Sequence, residues 1–313
     1  MTKKTFSDRS KPTERDLAVL VLLATYTVLS RKQIQLLADY PSDRVARRGI
    51  KRLCDCGLIR QQGNYEGADG RAYMLTKQGC EYLAAKFNDD KYLLLPYRLR
   101  RPDYTLHYLA VSATNMCLHD AIARQSAVTL ERWIGEDQIV NVDEQDRKKH
   151  FKLRIDFSEP KRTRCDPDAA FLLGYKSHLV VLYLEQDRGD AINGTPPRAL
   201  LARKTPGYRI LLERKLHRTR HFPETTLDQF RVLSLSPTPA RRDQLRRAFR
   251  GKTDAVNWRF GSMTNTTAQG WYCRKWSNWR ILRPRLFLRR RTWHGCQSDS
   301  PGEANAGTLS QTI

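Results

Sequence analysis

The sequence lacks cysteines at metal-binding spacing. Its seven cysteines (Cys54, Cys56, Cys80, Cys117, Cys165, Cys273, Cys296) are scattered, and Cys54-Asp55-Cys56 is too tight for a zinc knuckle. They are expected to be reduced packing or surface residues. His217 and His221 stand four apart, but no cysteine or carboxylate follows at finger-like spacing, so that pair is expected on a basic solvated face. GxGxxG, GxxxxGK[ST] and GxSxG are all absent, which removes the common dinucleotide, P-loop and nucleophile-elbow signatures. No apolar run has the length of a membrane span, and the start MTKKTFSDRSKPTER has no apolar signal core. A cytoplasmic protein with no membrane partner is therefore expected. Negative charge is also scarce: 33 Asp plus Glu face 56 Lys plus Arg, a net charge of +23. That balance favours polyanionic partners through phosphate contacts and counterion release.

What is present begins with ordinary material. The chain has 313 residues and 40% hydrophobic content, enough for two modest domains. Arg15 to Ala24 reads as a nearly all-apolar helix that must be buried. Ser30 with Gln33 is a capping-box pattern that opens a second helix carrying Ile34, Leu37 and Ala38 inward. Ser42 caps a third helix from Asp43 to about Cys56. At helical spacing Ala46, Gly49, Ile50 and Leu53 share one side, and Arg44, Arg47, Arg48 and Lys51 the other. Gly57 ends this helix, Leu58–Gln61 and Arg71–Leu75 read as strands around a turn-rich tip, and Thr76 caps a last helix. The string LCDCGLIRQQ…GRAYMLTKQG resembles the winged-helix reader of many bacterial regulators. Residues 13–87 are thus expected to be a winged helix-turn-helix domain on double-stranded DNA. Arg44, Arg47, Arg48 and Lys51 would enter the major groove, with Arg71 at the wing.

A charged stretch with two prolines, Asn88 to Asp103, marks the boundary of a second domain at 104–250. Tyr104 to Gln125 reads as a helix and Thr129 to Ile134 as a strand. Asp168 stands at the head of another strand, and His178–Leu184 is an apolar run ending in Glu185 and Asp187. Its lack of alternation marks it as central in a sheet. If Asp168 lies on the neighbouring strand, three carboxylates meet at one rim, where a hard divalent cation relieves their repulsion and activates water. The alternative is that these acids form structural ion pairs with Arg164, Arg188 and Arg203.

Helix, strands, Pro167-Asp168 and Glu185-x-Asp187 together resemble the PD-(D/E)xK nuclease core. More specifically, CDPDAAFLL…VVLYLEQDRGD…KTPGY…FRVLSLSPTPARRDQLRRAF is similar to the replication-relaxation family of plasmids and integrative elements. The resemblance implies an α+β or α/β two-domain chain in which a restriction-endonuclease-like mixed sheet flanked by helices follows the winged helix. It further implies Asp168 and Glu185 as ligands of Mg²⁺ or Mn²⁺. The usual lysine of the motif is replaced by Asp187, and Lys204 is the candidate to supply that cation instead. The implied role is a DNA-binding accessory in replication relaxation or conjugative mobilisation at an origin, with a relaxase or replication protein as partner. A metal-dependent nickase, and a repressor with a degenerate nuclease-like domain, stay open beside it. Residues 261–313 interleave Trp271, Trp276, Trp279 and Trp293 with arginines. They are expected to be a disordered tail, with single-stranded DNA as another candidate partner.

Overall fold

Thr13 opens the first helix, α1 (Glu14–Tyr26), through a reciprocal cap: the Asp16 amide donates to Thr13 Oγ1, and the Thr13 amide donates to the Asp16 carboxylate at 2.8 Å. The computed structural model describes residues 12–64, 71–101, 104–125, 127–142, 149–159, 163–187, 196–252 and 257–263. A short strand β1 (Leu29–Ser30) leads into α2 (Arg31–Leu37), where Ser30 and Gln33 form the expected capping box. Ser42 caps α3 (Asp43–Asp55), which buries Ala46, Gly49, Ile50 and Leu53 against Val19, Leu20 and Leu23 of α1. Strands β2 (Ile59–Asn64) and β3 (Arg71–Leu75) follow, and β3 pairs antiparallel with both β2 and β1. Helices, then a hairpin whose inner strand also holds β1, make a winged helix; the expected wing tip at 65–70 lies outside the described residues. Thr76 then caps α4 (Lys77–Phe87).

A 3-10 turn at Asp90–Leu94 starts the linker to α5 (Thr105–Ala123). After α5 come β4 (Val128–Gly135), the small hairpin β5 (Ile139–Val142) with β6 (Lys149–Phe151), and the short pair β7 (Ile155–Asp156) with β8 (Arg164–Cys165). Strands β9 (Ala169–Tyr175) and β10 (His178–Gln186) form an antiparallel hairpin that β4 joins along the far edge of β9. Helix α6 (Pro197–Glu213) crosses to β11 (Phe230–Ser236), parallel to β10, and α7 (Pro239–Phe249) crosses to β12 (Trp258–Ser262), parallel to β11. The resulting order β12-β11-β10-β9-β4 puts the apolar run of β10 at the centre, as its lack of alternation predicts. Tyr183 anchors the core on the α6 face, packed on Tyr208, Phe222 and Phe230. Gln186 faces α5 instead, accepting from the Thr114 hydroxyl at 3.2 Å. The sheet therefore carries α5 on one face and α6 on the other.

The winged helix is packed onto this second part. Val28, Ala72 and Met74 cluster with Leu99, Tyr108 and Leu109, and Ser112 Oγ donates to the Tyr26 carbonyl at 2.7 Å.

The structure corrects three expectations. His217 and His221 are on no solvated face: both are fully buried in a wide turn, and His221 Nδ1 lies 2.6 Å from the Tyr183 hydroxyl. The sheet runs past residue 250, because β12 adds its edge strand and takes in residues 261 and 262, which the sequence pattern places in the tail. Cys54, Cys56, Cys80 and Cys165 form no disulfide, but Cys117 is disulfide-bonded. Residues 264–313, with the tryptophans of the expected tail, lie outside the described residues. Among the described residues, no helix is long and apolar enough to cross a membrane.

Candidate functional site: an acid rim with cationic partners

Strand register builds the site. Gly135 of β4 pairs with Ala169 of β9, and Ala169 pairs with Leu184 of β10. The residues one step beyond, Glu136, Asp168 and Glu185, therefore stand side by side at one rim of three adjacent strands. The Asp168 amide donates to the Leu184 carbonyl at 3.0 Å, and the Gln186 amide donates to Asp168 Oδ2 at 2.7 Å. All three carboxylates are buried.

Each has a cationic neighbour. Lys204, on α6, reaches Glu185 Oε2 at 2.7 Å and donates to the Asp166 carbonyl at 3.0 Å. Tyr208, one turn on, donates its hydroxyl to Glu185 Oε1 at 2.7 Å. Their approach depends on Gly207. A Cβ there would stand 2.2 Å from the Arg164 carbonyl oxygen at the start of β8, so only glycine lets α6 lie this close. Arg100 and Arg101 enter from the linker. Arg100 bonds Glu136 at 3.1 Å and Asp166 at 3.0 Å; Arg101 bonds Glu136 and lies 3.7 Å from Asp168. His107, in the first turns of α5, is 3.1 Å from Glu136 Oε1 and 3.3 Å from Asp168 Oδ1.

These contacts set the charge states. Burial alone would keep His107 neutral, but the Asp168 and Glu136 carboxylates outweigh it and push its pKa up to about 10. Burial would raise Asp168; His107, Lys204 and Arg101 instead hold it below the usual carboxylate range. Glu185 goes the other way, raised by burial against the opposing pull of Lys204. Burial and the neighbouring Glu136 push Asp137 up to about 7.

The structure brings together Asp168, Glu185 and Lys204 of the expected set, and it corrects Asp187. Strand β10 ends at Gln186, and Asp187 turns to α7, where Arg241 binds its carboxylate at 2.8 Å. The third acid of the rim is Glu136. Of the structural ion-pair partners considered for these acids, Arg188 lies outside the described residues. Arg101, Lys204 and Arg241 supply the observed pairs. Glu136 carries a sequence signal like that of Glu185: it stands directly after β4, as Glu185 closes the apolar run of β10. His107, Arg100 and Arg101 have no local signal, since only the tertiary fold brings them in.

On the winged helix, Arg44, Arg47, Arg48 and Lys51 lie exposed on the face of α3 opposite its buried side, and Arg71 is exposed at the start of β3. Arg47 pairs with Asp43 at 2.7 Å and Lys51 with Asp55 at 2.8 Å, one turn away in each case. Arg52 points the other way: it clamps the fully buried Asp16 of α1 at 2.6 and 2.9 Å and so fixes α3 against α1.

The rim also meets the chemistry of a hard divalent cation. Glu136 Oε1 is a buried carboxylate oxygen with no hydrogen-bond partner, beside Asp168. Glu185, by contrast, has both oxygens engaged, by Lys204 and Tyr208.

A winged helix packed on a mixed sheet, with acids and a lysine meeting at one rim, defines the class of this chain. Residues 20–225 match the family model described as Replication-relaxation, and the chain belongs to that family. No curated protein matches it. Among solved structures, a MarR family transcriptional regulator from Silicibacter pomeroyi DSS is similar at 19% identity and a TM-score of 0.23. That match covers 36% of this chain and 72% of the regulator.

Proposed function

We propose that this protein binds duplex DNA at an origin of a plasmid or integrative element and nicks one strand there with its second domain. The observation that carries the reading is the meeting of Asp168, Glu185 and Lys204 at one rim, with Lys204 Nζ 2.7 Å from Glu185. The motif position held by Asp187 lacks the lysine of a PD-(D/E)xK site, and Lys204 brings that cation from α6 instead. Apart from the short pairs β5-β6 and β7-β8 inserted after β4, the order α5, β4, β9, β10, α6, β11 supports the same reading, as one helix, three antiparallel neighbouring strands, a crossover helix and a parallel strand.

In this reading α3 lies in the major groove, with Arg44, Arg47, Arg48 and Lys51 toward phosphates and base edges and Arg71 toward the backbone. Asp168 and the acids beside it would hold Mg²⁺ or Mn²⁺, which when bound would supply an activated water and offset charge on the phosphate. Lys204 stands where it neutralises charge gathering on the phosphate oxygens, and Tyr208 and Glu185 hold the lysine in that position. A relaxase or replication protein is the partner that a nick at an origin calls for.

The test is plasmid nicking. Purified protein with Mg²⁺ or Mn²⁺ should convert supercoiled plasmid to the open circle. Asp168→Ala and Glu185→Ala should each slow this at least ~100-fold while still shifting DNA in a gel. DNA binding with no metal-dependent nicking would leave the second domain a binding scaffold and overturn the cleavage reading.

A further inference from the structure

His107, Glu136 and Asp168 come from three separate elements, yet their ligand atoms all lie within 4.8 Å of one another. Both His107 and Glu136 are at least nine-tenths buried, at 4% and 3% exposure. His107 Nε2 and Glu136 Oε1 are close enough to attract but are aligned in no hydrogen bond with any group. Buried polar atoms without an aligned hydrogen bond are costly unless something else satisfies them. A metal ion does so, because it takes lone pairs from any direction that suits its coordination sphere. One imidazole and two carboxylates make a mixed nitrogen and oxygen set, which suits a first-row divalent cation such as Mn²⁺ better than Ca²⁺.

The remaining side of this group is taken by the linker. Arg101 bonds Glu136 Oε2 and reaches Asp168 Oδ1 at 3.7 Å, while Arg100 ties Glu136 to Asp166 and stacks over Phe151. Both arginines belong to the segment that leaves the winged helix and enters α5.

We propose that His107, Glu136 and Asp168 form a divalent-cation site of the Mn²⁺ class, with Arg101 of the linker as its resident counter-ion. Entry of the cation releases the His107 Nε2 proton to solvent and displaces Arg101 from Glu136 and Asp168, so metal occupancy and linker position are linked. The proposal deepens the cleavage reading, sharing Asp168 with it. It differs in assigning the other two ligands to His107 and Glu136, leaving Glu185 to Lys204.

The experiment uses the full chain and MnCl₂ alone, without DNA, so its outcome is separate from that of plasmid nicking. Titration calorimetry should give one Mn²⁺ per chain. Spin-echo spectroscopy of the bound ion should show nitrogen modulation from His107. His107→Ala and Glu136→Gln should weaken binding at least ~10-fold, and Glu185→Gln should weaken it less than Glu136→Gln. Removing the competing positive charge in Arg101→Gln should tighten binding about threefold or more. Circular dichroism checks that each variant folds, and the nitrogen signal of the wild type decides should His107→Ala fail to fold. No Mn²⁺ binding, bound Mn²⁺ without nitrogen modulation, or affinity indifferent to Glu136→Gln would overturn the site. Unchanged or weaker binding in Arg101→Gln would overturn the role given to the linker.

Discussion

His221 and His107 are buried histidines whose neighbours drive them in opposite directions. His221 faces the Tyr183 hydroxyl, and burial, helped by nearby Lys152 and Arg220, pushes its pKa down to about 3 from 6.5. Between those values the unfolded chain takes up the proton more readily than the folded one. Stability therefore falls as pH drops through that window, by at most about 1.4 kcal/mol per pH unit. His107 is raised to about 10, so its contribution is fully present below 6.5 and is lost as pH climbs toward 10. Asp137, raised to about 7, opposes His221 on the acid side, so the comparison is made variant against wild type. Melting curves across pH should show a flatter acid limb in His221→Gln and a flatter alkaline limb in His107→Gln. Limbs identical to wild type would contradict these assignments.

At the scale of elements, α3 and α6 do most of the positioning. The basic face of α3 is legible before any fold is known, because Ala46, Gly49, Ile50 and Leu53 keep helical spacing and force the arginines outward. Arg44→Ala and Arg48→Ala should each lower duplex affinity and reduce the slope of log affinity against log salt by about one unit. A slope unchanged in both variants would remove α3 from the interface. Helix α6 is less legible. Pro206-Gly207 in its middle reads as a breaker, whereas the helix continues through it and uses the bare glycine to lie against Arg164. Gly207→Ala should cost about 1–3 kcal/mol through forced separation of α6 from β8. It should also slow nicking more than any loss of folded protein accounts for, since Lys204 and Tyr208 ride on the displaced segment. Equal losses in folded protein and in nicking would make Gly207 a packing residue only.

Across the whole molecule, the site is assembled from segments that no local pattern links. Asp168 and Glu185 announce themselves as acids at the ends of apolar strands, and Lys204 as the stand-in for a missing motif lysine. Asp187 misleads because alternation along a strand says nothing once the strand ends, and Arg241 of α7 then claims its carboxylate. Glu136 joins only through the register of β4 on β9. Arg100 and Arg101 join only through the linker, and His107 only through the packing of α5 on the sheet. The edge strand β12 is hard to see in the sequence because Trp258–Ser262 is short and mixed, and its place is set by pairing with β11. The same linker joins the winged helix to the acid rim, and the packing of Met74 and Val28 on Tyr108 and Leu109 holds the two parts together. A reader fixed in this way should deliver the rim to a defined place on its DNA.

That claim is tested by mapping the nick. Supercoiled plasmid carrying the origin region that the proposed function calls for is incubated with protein and Mn²⁺, and strand ends are located against the protected footprint. The account predicts one nick at a fixed position beside the footprint, absent in Asp168→Ala. In the double variant Arg44→Ala with Arg48→Ala it should be weakened along with the footprint. A clear footprint with no nick, or nicks scattered without relation to it, would contradict the account.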